Sequence, residues 1–141
     1  MANWFWLAVV AALLYGLHQV FTRLAADRIG DGVGGFIVEA SAALSILGYL
    51  AYLKATQHWT QPITSAGITW SLLAGVCVGA GTIAFFLLFQ RGAPLSAVPM
   101  VLAGGAAIMA VVGFIAFREP VTRERVVGIA LSIAGLYLLQ K

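Results

Sequence analysis

The stretch Gly34–Leu50, GGFIVEASAALSILGYL, places a single carboxylate, Glu39, near the start of an otherwise lipid-soluble run. A second polar group lies upstream in AALLYGLHQVFTRLAA, which carries Tyr15, His18 and Gln19. Tyr15 and His18 are three positions apart and share a helical face, with Gln19 adjacent. An ionised side chain at the centre of a membrane helix costs about 2.5–3.5 kcal/mol and is normally turned toward a cavity or a partner. Counted from Val33, Glu39 lies roughly 9 Å inside, too deep for a short side chain to reach the interface. Desolvation favours the neutral acid, and an acid that gains and loses a proton can exchange that proton for a cation. Tyr15, His18, Gln19 and Glu39 therefore form the candidate pocket for a proton and a polar or cationic group. The plainer alternative is that Glu39 bonds His18 or a backbone carbonyl and only fixes the packing of two helices.

The elements that must hold these residues are membrane helices. The 141 residues are 62% hydrophobic and 9% charged, far from the soluble balance of about a quarter charged. Apolar runs fall at 3–22, 33–53, 67–90, 94–117 and 126–140, and a bilayer span takes about 20 residues. The expected fold is an all-α integral membrane protein of five transmembrane helices in one domain, 1–141, because helices satisfy their own backbone in lipid. The last run reaches only about 22 Å unless TRER extends it. The opening MANWFWLAVVAALLYGLHQV looks like a signal sequence but lacks a basic start and a clear cleavage site, and is expected as a retained first span.

Loop signals agree: RLAADRIGDGVGG, KATQHWTQPITS, QRGAP and REPVTRER, the last with Thr122 as an expected helix N-cap and Glu124 in the first turn. No strand precedes GDGVGG, so it is no phosphate loop. The eight Lys and Arg residues stand singly or in one short cluster at segment ends, which argues against nucleic acid as a partner. No nucleophile–base set, metal cluster or Walker loop is present, so neither enzyme activity nor a cofactor is expected. Trp4, Trp6, Tyr49, Tyr52 and Trp59 suit an interfacial belt. With five spans, Lys54, Arg118, Arg123 and Arg125 face one side and Arg23, Arg28, Arg91 and Lys141 the other, an even division. Basic residues in short loops set orientation, so this chain is expected to insert both ways and to pair with itself antiparallel; the alternative is a chance balance that the N-terminal amine and uneven loop lengths break.

Small residues are the remaining signal. Gly75 and Gly79 on the third helix, and Gly104 and Gly105 on the fourth, permit close helix approach, within one protomer or at a dimer interface. Pro99, read as lying inside the fourth helix, is the expected bend or hinge. Ser41, Ser45, Ser96 and Ser132 are expected to bond back to their own helices. Trp70, Phe85, Phe86 and Phe89 fit either a path for flat substrates or core and lipid-facing positions.

The tail GAPLSAVPMVLAGGAAIMAVVGFIAFREPVTRERVVGIALSIAGLYLLQ resembles the C-terminal part of an EamA-like domain of the drug/metabolite transporter superfamily. The resemblance rests on Glu119, Pro120, Thr122, Gly128 and Gly135, and on Tyr15-Gly16 in a first helix of similar pattern. It implies a secondary transporter of small metabolites or drugs in the bacterial inner membrane, and half of an inverted repeat completed by a second copy. Proton-coupled export by alternating access is the expected mechanism, with substrate near the midplane between the halves. Where many relatives have an arginine early in the second helix this chain has Glu39, so charge preference does not carry over. The alternative is an accessory subunit of a heteromeric carrier, for example of lipids.

Overall fold

In a computed structural model, residues 4–139 are described, except for the side chains at 125, 132, 136 and 139. The span ends expected at Asn3 and Gln140, the Lys141 charge and the Arg125 and Ser132 side chains lie outside the described residues. The described chain is helical: α1 (Trp4–Ala26), α2 (Asp31–Ala55), α3 (Ser65–Gln90), a 3-10 turn (Leu95–Ala97), α4 (Val98–Ile115) and α5 (Arg123–Leu139). Four stretches, the fourth being Leu95–Ile115, are long and apolar enough to cross a membrane. The fifth helix has 17 residues and a shorter apolar segment, Val126–Gly135.

α1, α2, α3 and α5 extend beyond the expected apolar runs because polar residues carry them into the interface, whereas α4 stops at Ile115, two residues short of 117. α1 continues four residues past Thr22, through Arg23, and α2 starts at Asp31, whose charge suits a helix N-terminus. The turn between them closes through Arg28 and Ile29 N–H groups on the Ala25 carbonyl, at 2.8 and 3.1 Å. α2 stops where Gln57 enters the left-handed region at φ 59° and His58 N–H reaches back to the Leu53 carbonyl at 3.0 Å. Thr64 caps α3, its hydroxyl accepting from Gly67 N–H at 3.1 Å. At the other end Gly92, at φ 87°, supplies the backbone conformation that stops α3. α5 begins at Arg123, so TRER does extend it, and Val126 N–H bonds the Thr122 carbonyl at 3.1 Å.

The chain divides into two compact units, Met1–Gly92 and Ala93–Lys141. In the first, α1, α2 and α3 pack together, with α2 against α3 the most extensive seam. Its core is small: Gln19, Thr22 and Ala26 of α1, Gly34, Gly35 and Leu53 of α2, and Thr82, Phe86 and Phe89 of α3 are buried. Phe86 sits on Gly34, where any Cβ would overlap its ring, and Gly35 lies against Ile83. Gln90 ties the end of α3 to the α1–α2 turn by donating to the Ala26 and Ile29 carbonyls at 3.3 and 3.0 Å. Trp4, Trp6, Tyr49, Tyr52 and Trp59 are exposed at the end of this unit opposite Gln90, as a belt requires. In the second unit α4 packs on α5, and the Glu119 side chain folds over Gly113.

Two expectations about small residues and proline change here. Within their own units Gly75, Gly79, Gly104 and Gly105 have no neighbour that a Cβ would meet, whereas Gly34, Gly35 and Gly113 do. The close approach inside the first unit follows the α2–α3 crossing, which falls on Gly34 and Gly35. Pro99 is in the first turn of α4, at the joint with the 3-10 turn, where Val98 N–H bonds the Leu95 carbonyl. A missing N–H costs little in a first turn, so the irregularity lies at this joint and the body of α4 runs on unbroken.

Of the span windows, no more than 17% is buried by the protein itself. Leu13, Leu44, Trp70 and Val76 all lie open. Exposed apolar surface on this scale belongs against lipid acyl chains.

Candidate functional site

Between α1, α2 and α3 lies a cavity of about 320 Å³, lined by Leu14, Tyr15 and His18 of α1, Val38, Glu39 and Ala42 of α2, and Val78 and Thr82 of α3. Its depth follows from helix register. α1 runs toward one end of the unit, α2 leaves from that end and α3 returns to it. His18, Glu39 and Thr82 each stand eight residues from that end of their helices, about 12 Å at 1.5 Å per residue. Equal depth brings three polar groups of different helices into one layer. Glu39 is deeper than the 9 Å counted from Val33, because α2 begins two residues earlier.

Within the layer Glu39 is half-buried and Thr82 is 5% exposed. The Thr82 hydroxyl donates to Glu39 Oε1 at 2.5 Å. His18, the sequence-derived pocket companion of Glu39 and in the plainer alternative its bonding partner, shares the cavity wall, while the hydrogen bond to Glu39 comes from Thr82. Among the described residues no cation lies within 4 Å of Glu39, and the ion pair present, Arg23–Asp27 at 2.5 Å, belongs to the charged end of α1. The carboxylate is therefore steadied by a hydroxyl while a cavity opens beside it.

Tyr15 contributes to the wall although most of its ring is exposed. Gln19 is not in the wall. It is buried with Thr22 and Ala26 on the packed face of α1, and its Oε1 has no donor among the described residues. A step of one residue turns a side chain by about 100°, which separates Gln19 from His18. Of the aromatic residues, Phe86 and Phe89 are core, Phe85 is half-buried and Trp70 is exposed; none lines this cavity. Arg23 stacks on the Phe89 ring at 5.8 Å. Thr82 was absent from the sequence-based set, although it is one of few polar residues in the apolar body of α3 and matches Glu39 in register.

The second unit holds a separate cavity of about 270 Å³ between α4 and α5, lined by alanines, Phe114, Gly128, two isoleucines and Glu119. Its walls are largely apolar.

The span-length helices and the apolar surface they expose define a multi-pass membrane protein. No family model matches the chain, and no solved structure matches it either. Curated proteins do match. The Pseudomonas aeruginosa protein named "Probable 4-amino-4-deoxy-L-arabinose-phosphoundecaprenol flippase subunit ArnE" is 31% identical over 106 residues, 71% of this chain and 90% of its own. The ArnE of Pseudomonas savastanoi pv. phaseolicola is 33% identical over 104 residues, with the same coverage. The multidrug resistance protein EbrB of Bacillus licheniformis is 33% identical over 107 residues, 74% of this chain and 83% of its own. The chain belongs to this family of small multi-pass membrane transporters, located in the cell membrane.

Proposed function

We propose that the protein is a secondary-active transporter that exchanges a small cationic or amine-bearing substrate for a proton at Glu39, most simply in the direction of export. The observation that carries this is Glu39 itself, half-buried in the α1–α3 cavity with one oxygen held by Thr82 and, among the described residues, no cation within 4 Å. His18 and Tyr15 complete the polar wall. The relatives support the substrate class: one name specifies multidrug resistance and the other an amino sugar on a lipid carrier.

In this proposal the chain is one EamA-like domain, with α5 as a fifth span, and forms half of an inverted repeat. A second copy inserted the other way up completes it, and the even distribution of basic residues supports insertion in both orientations. Gly75, Gly79, Gly104 and Gly105, which meet no neighbour in their own units, are available to that partner. The joint at Pro99 is the proposed hinge. The catalytic repertoire of an enzyme plays no part.

The word "subunit" in the ArnE names favours a second reading, an accessory half of a heteromeric lipid carrier. Proteoliposomes containing only this chain decide between them. Under a pH gradient, uptake of tetraphenylphosphonium, an amine or an amino acid that Glu39→Gln abolishes supports the first reading. No proton-coupled uptake of any of them, with restoration on adding a membrane partner, overturns it.

A further inference from the structure

Thr22, Ser41, Ser45 and Thr69 each donate their hydroxyl to the backbone carbonyl four residues earlier, of His18, Ile37, Ser41 and Ser65, at 2.7 to 3.1 Å. This is how a hydroxyl on a helix is satisfied where water is absent. Thr82 departs from the pattern: its hydroxyl reaches across to Glu39 Oε1, although Val78, four residues earlier on α3, supplies the same kind of carbonyl.

We propose that Thr82 is the positioning residue for Glu39, its hydroxyl moving between the Glu39 carboxylate and the Val78 carbonyl as Glu39 loses and gains a proton. This rests on the reading of Glu39 as the proton site. An ionised carboxylate only accepts, so it needs the donor that Thr82 provides. A protonated Glu39 is itself a donor. It then gives its hydrogen to Thr82 Oγ1, and the Thr82 hydrogen goes to the Val78 carbonyl as in the other four cases. The Thr82 hydroxyl and Glu39 Oε1 stay joined in both states, and the proton is taken from, and returned to, water entering the cavity.

The surroundings limit the change to this bond. Gly34 against Phe86 and Gly35 against Ile83 press α2 on α3 beside the site, so Thr82 answers by rotating its side chain within a fixed seam. The titratable groups facing Glu39 are Tyr15 and His18 of α1; α3 presents Val78 and Thr82, neither of which titrates. Thr82 is then the group on α3 through which protonation of α2 is felt.

The test reads Glu39 directly. In lipid vesicles holding the full chain, the infrared band of its protonated carboxyl is titrated against pH and isolated as the difference from Glu39→Gln. Removing a donor to the ionised form raises the midpoint, so Thr82→Val is expected to move it upward by about one pH unit and to alter the band position. Thr82→Ser, which keeps the hydroxyl, is expected to return both to wild type; Thr82→Ala replaces Thr82→Val if that variant fails to insert. A Thr82→Val titration that coincides with wild type overturns the proposal, as does a Thr82→Ser titration that follows Thr82→Val. Transport of tetraphenylphosphonium by the same vesicles is scored separately. A shifted titration in vesicles that move no cation supports the Thr82 assignment while removing the transport reading.

Discussion

Thr82 and Glu39, 43 positions apart in the chain, are joined by a 2.5 Å hydrogen bond that ties α3 to α2 at the wall of the cavity. A hydroxyl steadies a negative charge without cancelling it. An arginine in the same place would have paired with that charge.

Glu39→Gln keeps the shape and the acceptor but removes the charge. Proton-coupled uptake is expected to vanish, and binding of a protonated amine to weaken by about 1.5–3 kcal/mol, roughly 10- to 150-fold. Isothermal titration at two pH values measures the loss. Its pH dependence should also disappear, and a variant that binds as wild type does would exclude Glu39 from the site.

His18 lines the cavity without bonding Glu39, so His18→Ala is expected to act more mildly. Loss of a neutral hydrogen bond to a bound ligand is about 0.5–1.5 kcal/mol, a two- to twelve-fold weakening. Proton coupling should survive. A His18→Ala protein that is fully uncoupled would show that His18, and not the acid alone, carries the proton.

Gly34→Ala forces a methyl group into the Phe86 ring and is expected to destabilise the first unit by about 1–3 kcal/mol. Gly75→Ala meets nothing in its own unit and should leave the monomer's thermal stability in detergent unchanged. If Gly75 faces a second copy, the same variant lowers the yield of cross-linked dimer. Dimer yield equal to wild type would remove it from that interface.

Insertion in both orientations predicts that a C-terminal cysteine tag, in a variant lacking Cys77, is labelled from both faces of intact cells. Two lysines added beside Arg91 should drive most copies into one orientation. Labelling of the unaltered chain from one face alone would refute the antiparallel pair.

Glu124, exposed in the first turn of α5, has its carboxyl held below the ordinary carboxylate range by its backbone N–H and the Thr122 hydroxyl. A lowered folded-state value means that the contribution is present above the unfolded value and is lost as pH falls through the lowered one. Hydrogen exchange at residues 124–127 should therefore quicken on acidification, and Glu124→Gln should flatten that response.

Much of the molecule is legible without coordinates. Hydropathy is a property of residues summed along the chain, so the helices and the membrane follow from it wherever water would reject such a surface. The Thr122 start of α5 and the back-bonding of Ser41 and Ser45 follow from local chemistry in the same way. Glu39 stands out because a charge in an apolar run costs too much to be without a role.

Partners are not local. Gln19 and His18 are neighbours in the chain, yet one is buried in packing and the other faces the cavity, because rotation of α1 about its axis is set by what α3 presents. Extending α1 by four residues and α2 by two shifts depth by about 3–6 Å, enough to change which residues share a layer. The sequence by itself determined a multi-pass membrane protein with an acid inside it. Only the tertiary structure decided that Thr82 holds that acid and that Gly34 and Gly35 are the glycines helices close upon, since both depend on how three helices turn and slide against one another until Phe86 finds the gap at Gly34.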